Sequence, residues 1–355
     1  MREVIEAIKK GKRFLVTAHV NLEGDALGSQ LAMKELLMGM GKEAFILDSD
    51  PVPEHYRFLP KAAEVSNKFD KVGVFDAAIV LDCPTLNRTG KVRDVIKARA
   101  VPVINIDHHV SNEKFGDVNW VEPNASSAGE MVFRLFKEAE VKMTKEVALA
   151  LYIAILTDTG SFNYDNTSSV THEIAGELLG YGLDPALVSE SVYERRSVED
   201  INLLGLVLAT IRVNKKSAIA HLEVTKDMLD KTGADLAKSE GLINFARAID
   251  GVKVAVLFKE DQKDRNKINI SFRSKSNGDV IDVNKIASFF GGGGHTKASG
   301  CIVAGGMKEA KSKVLAKVEE APDGIITKTS RPGGYLRLAS VFTILTNSPM
   351  GAAIF

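Results

Sequence analysis

The stretch Val103-Ile104-Asn105-Ile106-Asp107-His108-His109 sets the strongest limit on what this chain can fold into. It is a short run of apolar, β-branched residues that stops abruptly at one carboxylate and two imidazoles. Such a run predicts a strand buried within a sheet, delivering ligand-capable side chains at its C-terminal edge. Open α/β sheets keep their chemistry along that edge. The alternative is a surface turn that happens to hold two histidines. With seven histidines in the chain, an adjacent pair is uncommon but not excluded. The choice depends on whether other elements end in the same way.

They do. Phe14 to Ala18 reads as a strand and is followed by His19-Val20-Asn21-Leu22-Glu23-Gly24-Asp25-Ala26-Leu27-Gly28-Ser29, then by helical spacing at Leu31, Met33, Leu36, Leu37 and Met40. His19, Glu23 and Asp25 place one imidazole and two carboxylates in one loop, where Gly24 allows a sharp turn and Gly28 close helix packing. Helix capping by Asp25 would explain only one of the three. A third strand-like run, Ala77 to Leu81, ends at Asp82-Cys83-Pro84, and the apolar helix Val147 to Leu156 runs into Thr157-Asp158-Thr159-Gly160. Asp158 either caps the next segment or binds something. Binding is the better reading, because so apolar a helix is a poor place for a solvated charge. By contrast, Asp48 and Asp50, after strand Ala44 to Leu47, read as turn chemistry. Trp120 to Glu130 reads as a loop into a helix, with Ser126 or Ser127 as the cap and Glu130 in capping-box range.

The second half alternates elements in a different rhythm. Thr171 to Tyr181 reads as a helix, Asp184-Pro185 opens a connecting segment, and Leu187 to Asn202 reads as polar and helical. A helix at Leu203 to Thr210, a strand at Ser217 to Val224, a helix at Leu242 to Ile249 and a strand at Val252 to Phe258 follow. Lys267 to Arg273 alternates like a half-buried strand and delivers Arg273 and Lys275 at its end. Asp282 to Phe290 reads as a helix entering Gly291-Gly292-Gly293-Gly294-His295-Thr296-Lys297-Ala298-Ser299-Gly300. The glycine run is either a flexible turn or a loop whose N–H groups cradle a phosphate, with His295 and Lys297 adding donors. Arg273 nearby favours the cradle.

These patterns predict an α/β protein. Residues 1–186 form a domain with a mostly parallel sheet flanked by helices, 187–204 a helical connector, and 205–320 a smaller α+β domain, with an active-site cleft between the two domains. Residues 321–355 show no clear period, and no role is read from them. Lys+Arg and Asp+Glu are balanced at 46 each, so no global field attracts a long polyanion, and a binding face for long duplex nucleic acid is not expected. No uninterrupted run reaches the ~18 apolar residues of a membrane span, and the acidic N-terminus lacks a signal core. Cys83 and Cys301 have no disulfide-like spacing. A reducing cytoplasm is the expected compartment. The oligomeric state is left open, a homodimer included.

Collected, the element ends carry His19, Glu23, Asp25, Asp82, Asp107, His108, His109 and Asp158. Carboxylates and imidazoles without thiolates suit Mn²⁺ or Mg²⁺ better than structural zinc. The group count suits a pair of ions rather than one, and carboxylate-bridged pairs about 3.5 to 4 Å apart serve in-line displacement at phosphorus. Phosphoester hydrolysis is the reaction class that follows.

Asp107-His108-His109, with His19…Asp25-Ala26-Leu27-Gly28-Ser29, Asp82 and Thr157-Asp158-Thr159-Gly160, resembles the DHH phosphoesterase superfamily. The Gly291 to His295 run with Ala298 and Gly300, preceded by Arg273, resembles its DHH-associated C-terminal domain. The resemblance runs to about Gly305. Within the superfamily, length and spacing look most like the bacterial nano-RNases of the oligoribonuclease/pAp-phosphatase type. It implies that His19, Glu23 and Asp82 hold one ion and that Asp25, Asp82, His108 and Asp158 hold another, with Mn²⁺ the expected metal. It further implies that His109 donates to the scissile phosphate or the leaving oxygen, that Asp107 orients a histidine, and that Arg273, Gly292, Gly293, Gly294 and His295 bind the nucleotide. One departure stands out: Leu22 and Glu23 occupy positions where the family has Pro and Asp, and the extra methylene of Glu23 lengthens its reach.

The expected activity is therefore hydrolysis of short 5'-phosphorylated RNA to mononucleotides, with 3'-phosphoadenosine 5'-phosphate as a second substrate. Two further expectations compete with it. One is a phosphodiesterase of cyclic or linear dinucleotides, which needs the same ions. The other is a non-catalytic nucleotide-binding regulator, motivated by Glu23.

Overall fold

A computed structural model describes residues 1–70, 72–216, 218–234, 241–275 and 281–320; the proposed tail at 321–355 and the first residue of the strand expected from Ser217 lie outside these. The first half runs α1 (Arg2–Lys10), β1 (Arg13–Thr17), α2 (Gly24–Gly39), β2 (Glu43–Leu47), β3 (Val65–Ser66), β4 (Ala77–Leu81), α3 (Val92–Arg99), β5 (Val103–Asp107), β6 (Val118–Val121), α4 (Ala128–Glu138), α5 (Lys145–Asp158) and α6 (Ser169–Leu179). Its six strands are all parallel, in the order β3-β2-β1-β4-β5-β6. Strand order reverses between β1 and β4, and a crevice opens at the carboxyl ends of such a pair. His19 follows β1 and Asp82 follows β4, so the topology alone brings them together.

The apolar runs form strands because both faces of the sheet are covered. Phe14, Val16, Ile79, Leu81, Ile104 and Ile106 pack into one core with α1, α2, α4 and α5. Leu15, Ala78, Val80 and Val103 alternate into a second core with Val92 and Ile96 of α3. Helix α5 is apolar nearly all round, as an internal helix is, and α2 is buried over most of its circumference, its polar Asp25, Ser29 and Gln30 included. Gly28 is what lets them touch, because a Cβ there would lie 2.3 Å from the Ala150 carbonyl oxygen. Gly24 serves the same contact rather than a turn. It begins α2, and its Cβ would lie 2.4 Å from Thr157 Oγ1. Trp120 and Val121, expected in a loop, instead end β6.

The connecting segment is two helices, α7 (Pro185–Tyr193) and α8 (Val198–Leu208), capped by Asp184 and Ser197. The second half follows as β7 (Arg212–Asn214), β8 (Ile219–Val224), α9 (Lys226–Thr232), α10 (Leu242–Ala248), β9 (Val254–Glu260), β10 (Lys267–Ser274), α11 (Val283–Phe289), β11 (Gly293–His295), β12 (Ala298–Ala304) and α12 (Met307–Glu319). Its sheet has the order β11-β12-β10-β9-β8-β7 and is antiparallel except for the β8–β9 pair. Helices α11 and α12 cover one face through Val283, Ile286, Ala310 and Val314. Leu203 and Val207 of α8 join α9 and α10 on the other.

The glycine run is the clearest departure from expectation. It is a hairpin edge, not an open cradle. Gly291 N and Gly292 N already donate to the Ser288 and Ala287 carbonyls, and Gly293 to His295 pair with Gly300 to Ala298. A Cβ on Gly292 would lie 2.1 Å from the Gly300 oxygen, and Gly294 adopts φ 144° with its Cβ position 2.5 Å from the Ala298 oxygen. Glycine is required there by close backbone approach. Among the described residues no helix is long and apolar enough to cross a membrane.

Candidate metal centre

The eight residues singled out at element ends in the first half converge. His19 Nδ1 lies 2.6 Å from the Val20 carbonyl oxygen, which assigns the proton to Nδ1 and leaves Nε2 as the free donor atom. That Nε2 sits 3.3 Å from Asp82 Oδ2 and 3.6 Å from Glu23 Oε1. His108 lies with Nδ1 3.3 Å from the Ala125 carbonyl oxygen, and its Nε2 lies 3.4 Å from Asp82 Oδ1, 3.6 Å from Asp158 Oδ2 and 3.7 Å from Asp25 Oδ2. The ligand atoms of His19, Glu23 and Asp82 fall within 4.8 Å of one another, and so do those of Asp25, Asp82 and His108. Asp82 belongs to both groups.

Each position has a local cause. Asp25 lies in the first turn of α2, and its carboxylate accepts from Ala128 N at 2.7 Å and Gly129 N at 2.8 Å, the first amides of α4. A helix N-terminus is a favourable place for an anion. The cap of that helix is Ser127, whose side chain accepts from Glu130 N. Asp158, at the last turn of α5, is held by Asn166 Nδ2 at 3.2 Å, and the same Nδ2 donates to the Ser126 carbonyl at 2.8 Å. Asp82 takes φ 49°, a left-handed conformation that costs a non-glycine residue on the order of 1 kcal/mol. Asn105 Nδ2 brackets it by donating to the Val80 and Cys83 carbonyls, each at 3.2 Å.

Asp107 does not join these two groups through its nearest contact. Its Oδ1 lies 2.7 Å from His109 Nδ1 and accepts from His108 N, while Oδ2 accepts from Asn112 Nδ2 at 2.6 Å. The carboxylate therefore fixes the His109 ring and tautomer, leaving its Nε2 free.

His295, from the second half of the chain, reaches the same place. Its ring stacks on His109 with centroids 4.5 Å apart and planes 18° apart, and lies 5.3 Å from the His108 ring. One ring nitrogen each of His108, His109 and His295 falls within 4.8 Å of the others, so the stack sets a third imidazole beside the two candidate ligand groups. Around it, Lys297 Nζ pairs with Asp165 at 2.6 Å and Arg247 lies over the Tyr164 ring at 5.0 Å. Arg273 lies at the β10 end, with Nη1 donating to its neighbour's carbonyl and Nε buried without a partner among the described residues.

The electrostatics are those of an over-supply of buried negative charge. Burial, then the neighbouring Asp82 and Asp158 charges, raise the Asp25 pKa well above the usual range. Burial, with Glu23 and Asp82, pushes Asp158 up to about 7. For Asp82, burial acts to raise the pKa, but the hydrogen bonds and charges of His108 and His19 outweigh it and hold it well below normal. His108 is raised despite burial, by Asp158, Asp82 and Asp25. Both Asp82 oxygens and His108 Nε2 are buried, and among the described residues their nearest polar neighbours are one another and the His19 ring, at 3.3 to 3.4 Å, with no well-formed hydrogen bond. Polar atoms in that state are costly unless a cation meets them. The donor set fits hard divalent cations, oxygen and imidazole without thiolate. Sequence reasoning missed Asn166, Asn105 and Asn112, which act only through the ligands they orient.

A family description, the DHH family N-terminal domain, matches residues 13–155, and the DHHA1 domain matches residues 216–321. The chain is 32% identical over 327 residues to a bifunctional oligoribonuclease and PAP phosphatase NrnA of Thermus thermophilus, covering 90% of this chain and 94% of that one. It is 29% identical to the protein of that name from Bacillus subtilis, over 89% of this chain and 97% of the other. Among solved structures, an exopolyphosphatase-related protein from Bacteroides fragilis superposes with a TM-score of 0.80 at 29% identity, covering 90% of this chain and 95% of that one. With the motif residues gathered at the switch point and a second domain closing over them, the chain belongs to the DHH family and carries a C-terminal DHHA1 domain.

Proposed function

We propose that this protein hydrolyses short 5'-phosphorylated oligoribonucleotides to mononucleotides and 3'-phosphoadenosine 5'-phosphate to AMP, with two divalent cations, Mn²⁺ in the first place and Mg²⁺ as the alternative. The observation that carries the reading is Asp82, fully enclosed, with one oxygen facing His19 Nε2 and the other facing His108 Nε2, and so common to two candidate ligand groups. In this reading His19, Glu23 and Asp82 hold one ion, and Asp25, Asp82, His108 and Asp158 hold the other. Bound there, the pair would supply Lewis acidity toward the phosphoryl oxygens and a more acidic attacking water.

The protein's own groups do the rest. His109, its Nδ1 tied to Asp107, offers Nε2 to the scissile phosphate or the leaving oxygen. His295, stacked on His109, meets the same phosphate from the second domain. Arg273, with an unpaired buried Nε, and the Gly292-Gly293-Gly294 hairpin edge line the nucleotide's side of the cleft. Residues 1–186 thus carry the chemistry and 205–320 the substrate contacts, joined through 187–204. Balanced charge suits short substrates, since a long polymer rewards a continuous basic track. The named activity of the Thermus thermophilus and Bacillus subtilis relatives supports the same substrates. A cytoplasmic setting follows from the nucleotide substrates and free cysteines.

The test is a rate comparison on 5'-phosphorylated dinucleotide, 3'-phosphoadenosine 5'-phosphate and a cyclic dinucleotide, with Mn²⁺ or Mg²⁺ added to metal-free protein. Metal-dependent turnover of the first two is expected. Nucleotide binding without turnover in either metal would instead make this protein a regulator.

A further inference from the structure

Asp48 and Asp50 look like ordinary turn acids in the sequence. In the structure both carboxylates reach back some thirty residues to the loop that carries His19. Asp48, at the end of β2 and 1% exposed, accepts through Oδ1 from Ala18 N at 3.2 Å and from Thr17 Oγ1 at 3.1 Å. Asp50 Oδ2 accepts from Asn21 N at 2.7 Å, and Asn21 takes φ 60°. The two acids therefore grip the backbone on either side of His19-Val20.

Between them, Val20 N donates to the Arg88 carbonyl at 2.8 Å. Ser49, which separates the two acids, donates through Oγ to the Thr89 carbonyl and accepts from Lys91 N, each at 2.7 Å. Gly90 makes this junction possible, since a Cβ there would lie 2.5 Å from Ser49 Oγ and 2.8 Å from Val20 Cγ1. The peptide plane that presents the Val20 carbonyl is held through its own Asn21 N–H by Asp50, while Arg88 holds the plane before it through Val20 N and Asp48 an earlier one through Ala18 N. That carbonyl is the partner of His19 Nδ1. Where the carbonyl points decides where Nε2 points.

We propose that Asp48 and Asp50 are positioning residues that clamp the loop around His19 and so aim its Nε2 at the cation shared with Asp82 and Glu23. The inference rests on the two-ion reading above and deepens it. The clamp bears on the same candidate ligand group as Glu23, whose side chain is 42% exposed and lies 3.6 Å from His19 Nε2. Outer partners that orient a metal-binding histidine are commonly worth about 10- to 100-fold in affinity.

The experiment is a Mn²⁺ titration of the metal-free full chain, read by the signal of free Mn²⁺, for the unsubstituted protein, Asp50→Ala and Asp50→Asn. Asp50→Ala should weaken one of the two binding steps about tenfold or more and leave the other step and the thermal unfolding of the metal-free protein unchanged. Asp50→Asn keeps a carbonyl acceptor for Asn21 N and should recover most of the loss. Hydrolysis by Asp50→Ala should return as Mn²⁺ is raised. Two unchanged steps, or two equally weakened steps with a lowered unfolding temperature, would overturn the proposal. If the unsubstituted protein binds no ions, the functional reading fails. The clamp is then judged by a metal-free crystal structure of Asp50→Ala, where an unmoved His19 ring overturns it.

Discussion

The two ligand groups that share Asp82 are built to different standards. The inner group is enclosed and supported: Asp25 is fully buried on two α4 amides, His108 lies against Ala125, and Asp158 is held by Asn166. The outer group is uneven: the loop around His19 is held by Asp48 and Asp50, but Glu23 projects partly into solvent. A ligand whose partners are fixed before the ion arrives loses less freedom on binding. The difference teaches that every candidate ligand of the inner group is fixed in advance, whereas the outer group is adjustable at Glu23. In this chain the departure from the family pattern falls on the adjustable side.

The comparison can be broken or sharpened by substitution. Asp82→Asn removes the residue common to both halves, so both ions should be lost together and turnover should fall by about 10³-fold or more, the equivalent of roughly 4 kcal/mol of barrier. A titration that still detected one tight ion would show the halves to be independent. Asp158→Asn should strike only the inner half, weakening one binding step by about 10- to 100-fold with the outer step intact. Glu23→Gln measured beside it should cost less; an equal or larger loss would reverse the ranking of the two halves. The smallest effect is expected for Glu23→Asp, which shortens the reach by one methylene. A change of less than about tenfold, or roughly 1.4 kcal/mol, in the outer step alone would mark that half as adjustable, and loss of the step would mark it as rigid.

Much of this molecule was legible in its sequence, for a physical reason. β1, β4 and β5 are buried on both faces, so they read as continuous apolar runs, and the polar residues that end them stand out. Elements at the sheet margins were invisible: β3 has two residues, β6 alternates weakly, and β11 is glycine apart from His295. A glycine strand offers no side-chain period to read. The candidate ligand residues were readable because they sit at element ends. Their supports were not, because Asn166, Asn105, Asp48 and Asp50 act through backbone groups or side chains that only the folded chain brings near. The stack of His295 on His109 is of the same kind, since it depends on how the second sheet meets the first.

The contacts around that stack make the join between the halves sensitive to salt. Besides the imidazoles, the two halves of the chain meet beside the centre through the Lys297–Asp165 pair and the Arg247–Tyr164 contact. With Asp165 55% exposed, the ion pair is worth about 0–1 kcal/mol, and the ring contact about 0.5–1 kcal/mol. These two contacts by themselves therefore add little to the cohesion of the halves beside the centre. Because one of the two is an ion pair with a half-exposed partner, added salt weakens it, and the contact between the halves at this point should be softer at high ionic strength than at low.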